Sequence, residues 1–390
     1  MFFYRLQRYK KIINLCIFLK KKHFFDEYSL KTASFFEKKA YFCTAMSTRK
    51  TITFILNPIS GTVKKAGIPD MISATLDPAR FHHRIVWTEY AGHASVIAQE
   101  EKEQGTDIVV AVGGDGTVNE VGRSLIGSTT ALAIIPCGSG NGLARHLMLP
   151  MDIAKSLEII NRCEIHELDY GIINEHPFFC TCGMGFDAFI SRKFAEGGKR
   201  GKVTYIENVL KEGLTYKPET YRIEDENGTT LHKAFLISCA NASQYGNNAY
   251  IAPQASMSDG LLDVIIMEPF DVLEAPQVAI EMMNKTLDKS QKIKTFRTQH
   301  IHIHRKEDGW IHFDGDPLFT TADVDIRLVH RGINVVVNAE ADKSKRQPNL
   351  VQTAFSEFFY DLNIVREDLV RQKRHIQAIN KILLRKLNNL

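Results

Sequence analysis

Several acids in this chain sit where chemistry can use them. Asp115 lies inside the glycine run Gly113-Gly-Asp-Gly116, and Asp314 and Asp316 share one short stretch, His312-Phe-Asp-Gly-Asp-Pro317. Two carboxylates that close can serve as a general base or in a metal-assisted site. The acid among glycines poses a different problem. Glycines let the backbone approach a ligand, and the unpaired N–H groups of a helix start favour an anion such as phosphate. A carboxylate repels bare phosphate, so Asp115 calls for a mediating Mg²⁺ or hydroxyl, as at a nucleoside triphosphate. The plain alternative is a tight strand-to-helix turn with solvated polar residues.

Other polar groups carry weaker signals. Asn57 and Ser60, in Asn57-Pro-Ile-Ser-Gly61, can hydrogen-bond phosphate, yet as turn residues they prove nothing. His300, His302 and His304 alternate and therefore share one strand face, with no carboxylate at useful spacing behind them. An exposed strand face explains them better than a metal site. Ser256-Met-Ser-Asp-Gly-Leu-Leu-Asp263 and Asp314-Gly-Asp316 each place Asp-Gly between apolar runs, which by itself signals a hairpin turn.

The elements that must position these residues alternate in the first half of the chain. Thr51–Leu56, His83–Thr88, Ile108–Val112 and Ala131–Ile135 read as strands, the last two apolar enough to be buried on both faces. Helical patterns fall around 68–76, through Ala94, Ile97 and Ala98, and after the glycine run, where Thr117-Val-Asn-Glu120 has capping-box spacing and predicts a start at Thr117. Alternation implies right-handed crossovers and a parallel sheet. The loops of interest, including Pro136-Cys-Gly-Ser-Gly-Asn-Gly142, all follow strand C-terminal ends, the edge where such sheets bind ligands. Beyond about residue 165 short β runs dominate: 178–182, 221–224, 234–238, 261–266, 300–304 and 324–328, interrupted by helical patches at 203–214 and 272–287. That pattern predicts a second, mostly antiparallel β domain.

Composition bounds the class. With 390 residues, 44% hydrophobic and 24% charged, the chain is an ordinary globular protein long enough for two domains. Seven Cys without framework spacing fit reduced thiols in a cytoplasm. Residues 1–50 carry 12 Lys/Arg against 3 Asp/Glu and residues 343–390 carry 10 against 4, so an overall +4 hides a body at −11. An acidic body argues against nucleic acid as a partner, whereas basic ends suit an anionic membrane surface. The apolar run 12–19 is too short to span a bilayer, which takes about 20 residues. The reading is a basic extension over 1–46, which an alternative start at Met46 would exclude, an α/β domain over 47–165, a β domain over 166–340 and a basic helical segment over 341–390. The last segment suits packing, homodimerisation or membrane contact alike.

Taken together the motifs resemble those of the diacylglycerol kinase-like lipid kinases, a group that includes bacterial diacylglycerol kinases and is similar to sphingosine and ceramide kinases. The resemblance covers roughly 51–340 and rests on Asn57-Pro-x-Ser-Gly61, Gly113-Gly-Asp-Gly-Thr-x-Asn-Glu120, Pro136-x-Gly-Ser-Gly-Asn141 with Ala144-Arg145, Asp259-Gly-x-x-Asp263 and Asp314-Gly-Asp316. It implies a phosphofructokinase-like N-terminal α/β domain, a C-terminal β-sandwich, and an active site in the cleft between them. It further implies ATP and Mg²⁺, with nucleotide contacts from Asn57, Ser60, Gly61, Thr88, Gly113, Gly114, Asp115, Gly116, Thr117, Asn119 and Ser139. Asp314 matches the general base and Asp115 a second catalytic acid, and Asp316 an acid near the nucleotide and its Mg²⁺. Asp259, with backbone oxygens of Ser256 and Leu261, matches a structural Mg²⁺ site. Gly142 stands where an acid is usual, and Asp316 where Glu is common; the former weakens an assignment to diacylglycerol more than to kinase activity. The expected activity is phosphorylation of a lipid hydroxyl at a membrane surface by a cytoplasmic, peripherally bound enzyme. An NAD kinase is the rival enzyme, argued against by the first and last motifs, and a non-catalytic nucleotide- or lipid-binding protein is the rival of another class.

Overall fold

The structure is a computed structural model and describes residues 49–60, 65–197, 216–270 and 274–341. The expected terminal segments, the helical patch at 203–214 and Gly61 lie outside the described residues. In chain order the first half runs β1 (Lys50–Leu56), α1 (Ile68–Thr75), β2 (Phe81–Trp87), α2 (His93–Gln104), β3 (Ile108–Gly113), α3 (Asp115–Leu125), β4 (Ala131–Pro136), α4 (Gly142–His146) and α5 (Ile153–Arg162). The second half runs β5 (Ile165–Ile173), β6 (His176–Phe178), β7 (Thr181–Gly185), α6 (Phe186–Gly197), β8 (Glu219–Asp225), β9 (Gly228–Ala234), β10 (Leu236–Ala240), β11 (Leu262–Met267), α7 (Ala275–Met283), β12 (Ile293–Thr298), β13 (His300–Arg305), β14 (Gly309–Phe313), β15 (Asp316–Thr320) and β16 (Asp323–Val336).

A small unit contains Asp77–His83 and the described residues up to Ile52; there the Lys50 N–H donates to the Arg80 carbonyl at 2.9 Å. Everything else described belongs to one large unit, which carries every residue discussed below.

Among the described residues the strands form two sheets. One runs β2-β1-β3-β4-β16-β13-β8-β9, with β5 and β6 branching from β16. The other is antiparallel, in the order β12-β11-β10-β7-β14-β15. β3 and β4 pair in parallel from Ile108 opposite Ala131 to Gly113 opposite Pro136, and all twelve residues are buried. This is why their sequences are unbroken apolar runs rather than alternating ones. Past residue 165 the sheets face each other. Tyr221, Ile223, Ile301, Ile303, Val324 and Ile326 of one pack with Cys182, Met184, Ile237, Cys239, Val264 and Ile311 of the other. That inner layer is the core of a β-sandwich. On the outer face of the antiparallel sheet, Phe186 and Ile190 of α6 and Val278 of α7 close a second cluster over Leu236, Ile265 and Met267.

β16 joins the halves. Its first residues pair antiparallel with β13, while Val335 lies parallel against Leu132 of β4. Between them the register against β5 breaks from Val329 to Ile333, with Arg331 at φ 51°. The fully buried carboxylate of Asp169 holds this bulge, accepting the Arg331 N–H at 2.8 Å and facing His330 Nδ1 at 2.8 Å, while its other oxygen takes the Gly260 N–H at 2.9 Å. The bulge re-aims the strand from the sandwich into the α/β sheet.

Several local expectations change. α3 begins at Asp115, not Thr117, and its N-terminus has no side-chain cap. Glu120 turns instead to the Gly92 N–H at 3.2 Å, so the capping-box spacing is not used. The run at 178–182 is two strands, and the run at 234–238 breaks at Phe235. An unexpected helix, α6, follows Gly185, where only later helices were expected. The histidine face is not without carboxylates. His300 pairs with Asp325 at 2.5 Å, and His302 and His304 with Asp323 at 3.3 and 2.8 Å, all supplied by the neighbouring β16. Among the described residues no group of three or more His, Cys, Asp or Glu is placed to hold a metal ion.

Candidate active site

Three loops at strand C-terminal ends meet above β3 and β4. The first is the turn after β1. The Asn57 N–H donates to the Val112 carbonyl at 3.2 Å, its Oδ1 accepts the Ile59 N–H at 3.0 Å, and its Nδ2 donates to Thr117 Oγ1 at 3.1 Å. Ser60 Oγ donates to the Asn57 carbonyl at 3.3 Å. Lys65, which the motifs do not single out, is buried and donates to both the Asn57 carbonyl and Ser60 Oγ. Burial pushes its ammonium below the ordinary lysine value, an effect partly offset by Cys137 nearby. Thr88, also buried, closes this edge through its N–H to the Leu56 carbonyl at 2.9 Å.

The other two loops are packed backbone on backbone. A Cβ added to Gly138 would lie 2.6 Å from the Gly114 Cα, and one on Gly140 would lie 2.8 Å from Asp115 Oδ2. The Cys137 N–H donates to the Gly113 carbonyl at 2.8 Å. Asn141, left-handed at φ 52°, closes its own loop by accepting the Gly138 N–H at 2.9 Å and donating to the Gly138 carbonyl at 2.8 Å. These contacts give the glycine acid its reason. Asp115 Oδ2 accepts the Asn141 N–H at 2.8 Å and Oδ1 the Gly142 N–H at 2.7 Å, so the carboxylate ties one loop to the other. Gly142 is itself crowded: a Cβ there would meet the Tyr245 carbonyl at 3.1 Å. Gly116 and Ser139 are exposed on this rim, and Thr117 and Asn119 are buried beneath it. The uncapped N–H groups opening α3 leave an anion site on a helix of 11 residues.

Across from these loops, Asp314 and Gly315 form the two-residue turn between β14 and β15, with φ of 53° and 86°. Both residues left-handed is the hairpin geometry that Asp-Gly favours. The turn tips the Asp314 side chain inward, where it is 4% exposed. Its Oδ1 accepts the N–H groups of Cys180 at 2.7 Å and Thr181 at 3.2 Å, and its Oδ2 that of Phe179 at 2.8 Å. Those donors sit in the break between β6 and β7, which explains the interrupted run. Burial pushes the Asp314 carboxyl above the ordinary value, against Arg123 and the three N–H groups, which lower it. The same burial, helped by the charges of Asp314 and Asp115, drives the Cys180 thiol well upward.

Arg123 is one residue that sequence reasoning misses. From the last turn of α3 it reaches Asp316 at 2.9 Å and Asp314 at 3.8 Å, donates to the Pro177 carbonyl at 3.1 Å, and lies 4.8 Å over the Phe313 ring. Its signal was a cation two turns beyond Asp115 on one helix. Asp316, half exposed, is thus engaged by Arg123. Also missed are Asp187 at the start of α6, partly buried, and His312 on β14, buried, whose oxygen and Nε2 are 2.9 Å apart.

A cavity of ≈ 180 Å³ lies between the two acids, lined by Asp115, Asn119 and Asn141 on one side and Asp187, His312 and Asp314 on the other. Asp259, Ser256 and Leu261 do not line it. They form the turn before β11, where Asp259 Oδ1 accepts the Leu261 N–H at 3.2 Å and Arg297 approaches Asp259 at 3.8 Å and Asp263 at 3.0 Å. The buried Asp263 Oδ2 beside them has no hydrogen-bond partner. One guanidinium against two carboxylates leaves a negative balance and an unfilled oxygen, which fits a hard cation held by oxygen.

Comparisons with known proteins agree with this anatomy. Residues 51–173 match the diacylglycerol kinase catalytic domain, and residues 180–337 match the YegS C-terminal NAD kinase beta sandwich-like domain. A probable lipid kinase YegS of Salmonella arizonae is 29% identical over 246 residues, 61% of this chain and 80% of that protein. A probable lipid kinase YegS-like protein of Chromohalobacter salexigens is 28% identical over 245 residues, 61% of this chain and 79% of its own. Among solved structures, a putative diacylglycerol kinase from Bacillus anthracis superposes with a TM-score of 0.62 at 24% identity, over 75% of this chain and 96% of that one.

Proposed function

The chain belongs to the diacylglycerol kinase-like family of lipid kinases, and we propose that it transfers the γ-phosphate of ATP to a hydroxyl of a membrane lipid. The observation that carries the finer reading is the buried Asp314 carboxylate, facing the same cavity as Asp115 and the α3 N-terminus. The phosphates lie along the uncapped N–H groups of α3 and the Gly113–Thr117 turn, with Asn57, Ser60, Lys65, Thr88 and Ser139 at the rim. Asp314 receives the proton of the attacking hydroxyl. Asp115 holds the two glycine loops in register, and Arg123 fixes Asp314 and Asp316 against α3. Phosphoryl transfer is mostly positioning and charge neutralisation, so this set needs no covalent nucleophile.

Mg²⁺, when bound, neutralises phosphate charge, and Asp316 is the acid near enough to the rim to help hold it. Asp259, with the backbone about Ser256 and Leu261 and the unfilled oxygen of Asp263, would hold a structural Mg²⁺. Among the described residues no helix is long and apolar enough to cross a membrane. Lipid is therefore reached from the membrane surface in this reading.

The test offers γ-labelled ATP and Mg²⁺ with mixed micelles of diacylglycerol, monoacylglycerol, sphingosine and ceramide, counting label in the organic phase. Label is expected in at least one lipid. Asp314→Asn should still bind ATP and lose about a hundredfold or more in turnover, the scale of a general base. Turnover near wild type in that variant removes Asp314 from the chemistry.

A further inference from the structure

Among the polar groups that line the cavity, His312 is one that the proposed reaction leaves unused. His312 projects from β14 on the outer face of the antiparallel sheet, next to Gly183 of β7. The absent side chain at Gly183 makes room for Asp187, since a Cβ there would lie 2.6 Å from its Oδ2. Asp187 is fully engaged: Oδ1 accepts the Ala188 N–H at 2.8 Å, and Oδ2 faces His312 Nε2 at 2.9 Å and the Tyr245 hydroxyl at 3.4 Å. In the neutral ring, contact with a carboxylate oxygen puts the proton of His312 on Nε2 and leaves a bare lone pair on Nδ1. That Nδ1 is buried and has no hydrogen-bond partner, while the ring itself, 3% exposed, lines the cavity with Asp314. A buried acceptor without a donor is costly, and a bound ligand that supplies one relieves the cost.

We propose that His312 Nδ1 is a specificity contact for the acceptor: it accepts a hydrogen bond from a second hydroxyl beside the one that is phosphorylated. This rests on the lipid kinase reading and sharpens it. Asp314 takes the reacting hydroxyl, so the group that faces His312 is a neighbour on the same head. The favoured acceptors are lipid alcohols with a second free hydroxyl one or two carbons from the reacting one, such as monoacylglycerols or sphingoid bases, over those with a single free hydroxyl. A site built to bond a hydroxyl discriminates strongly against the analogue that lacks it, because its own polar atom is then left unpaired.

The experiment uses the full chain with matched acceptors that differ by that one hydroxyl: 1-monoacylglycerol against its 2-deoxy analogue, and sphinganine against 3-deoxysphinganine, with diacylglycerol beside them. The kcat/KM ratio within each pair is compared for wild type, His312→Gln and His312→Asn, each checked for an unchanged melting temperature. Gln can keep the donation to Asp187 but has no acceptor at the Nδ1 position, whereas Asn keeps an acceptor there. Wild type should favour the dihydroxyl member by at least about tenfold. His312→Gln should bring the ratio close to one, and His312→Asn should retain part of it. A ratio near one in wild type, a ratio unmoved by His312→Gln, or label confined to diacylglycerol would overturn the specificity contact while leaving a lipid kinase. Absence of label in every lipid would overturn the kinase reading and this contact with it.

Discussion

Asp314 is held in tension between two influences. Burial favours its protonated form, and Arg123 with three backbone N–H groups favours the anion. A base must be ionised to accept a proton, so activity is lost as pH falls through the Asp314 pKa. Because burial has the larger effect, the acid limb of kcat/KM should lie above the ordinary carboxylate range. Arg123→Met removes one lowering influence and should move that limb to higher pH, as well as weakening turnover at neutral pH. A limb that stays in place, measured on the same lipid from pH 5 to 9, would show that Arg123 does not tune Asp314. The same substitution frees Asp316, so nucleotide affinity measured alongside separates the two roles of the guanidinium.

At the level of elements, the glycines turn out to serve packing as much as ligand access. Gly138 and Gly114 touch through their Cα atoms, and neither partner in that contact can rotate away. Gly138→Ala should therefore cost about 1–3 kcal/mol, the usual penalty of overpacking, and lower ATP affinity with it. An unchanged melting temperature and unchanged affinity would mean the loops separate freely. Much of this architecture was legible in the sequence. The buried strands at 108–113 and 131–136 announce themselves by unbroken apolar runs, and Asp314-Gly315 announces its hairpin. Asp115 was legible as special, but its tie between the two loops was not, because its partners, the Asn141 and Gly142 N–H groups, are more than twenty residues away and belong to backbone. Backbone donors leave no mark in side-chain types. The start of α3 was misplaced for a related reason: Thr117 and Glu120 each find a tertiary partner, and those partners outcompete the local cap. Asp187 and His312 were invisible as a pair because 125 residues separate them and only the sheet brings them together.

At the scale of the whole molecule, the decisive feature is β16. Alternating strands and helices followed by short β runs read as two domains in tandem, yet the last described strand returns to the first sheet and lies beside β4. Arg123 crosses the same boundary from α3 to Asp314 and Asp316. Halves sharing a strand and a cavity should not unfold separately, since either one's loss exposes the other's core. The sequence holds two tryptophans, Trp87 on β2 of the α/β half and Trp310 on β14 of the sandwich, so each half has its own fluorescent reporter. Trp310→Phe and Trp87→Phe variants, melted in urea, are expected to give coincident midpoints once their own stabilities are matched by a common circular dichroism signal. Two separated midpoints would mean that β16 is a loose bridge and that the cavity is built between independent domains. Repeating the melts in Mg²⁺ buffer with and without EDTA adds a second reading. If Asp259 holds Mg²⁺ in the sandwich, chelation lowers both reporters together, because the halves share one transition. A midpoint indifferent to EDTA leaves the Asp259 turn to Arg297 alone.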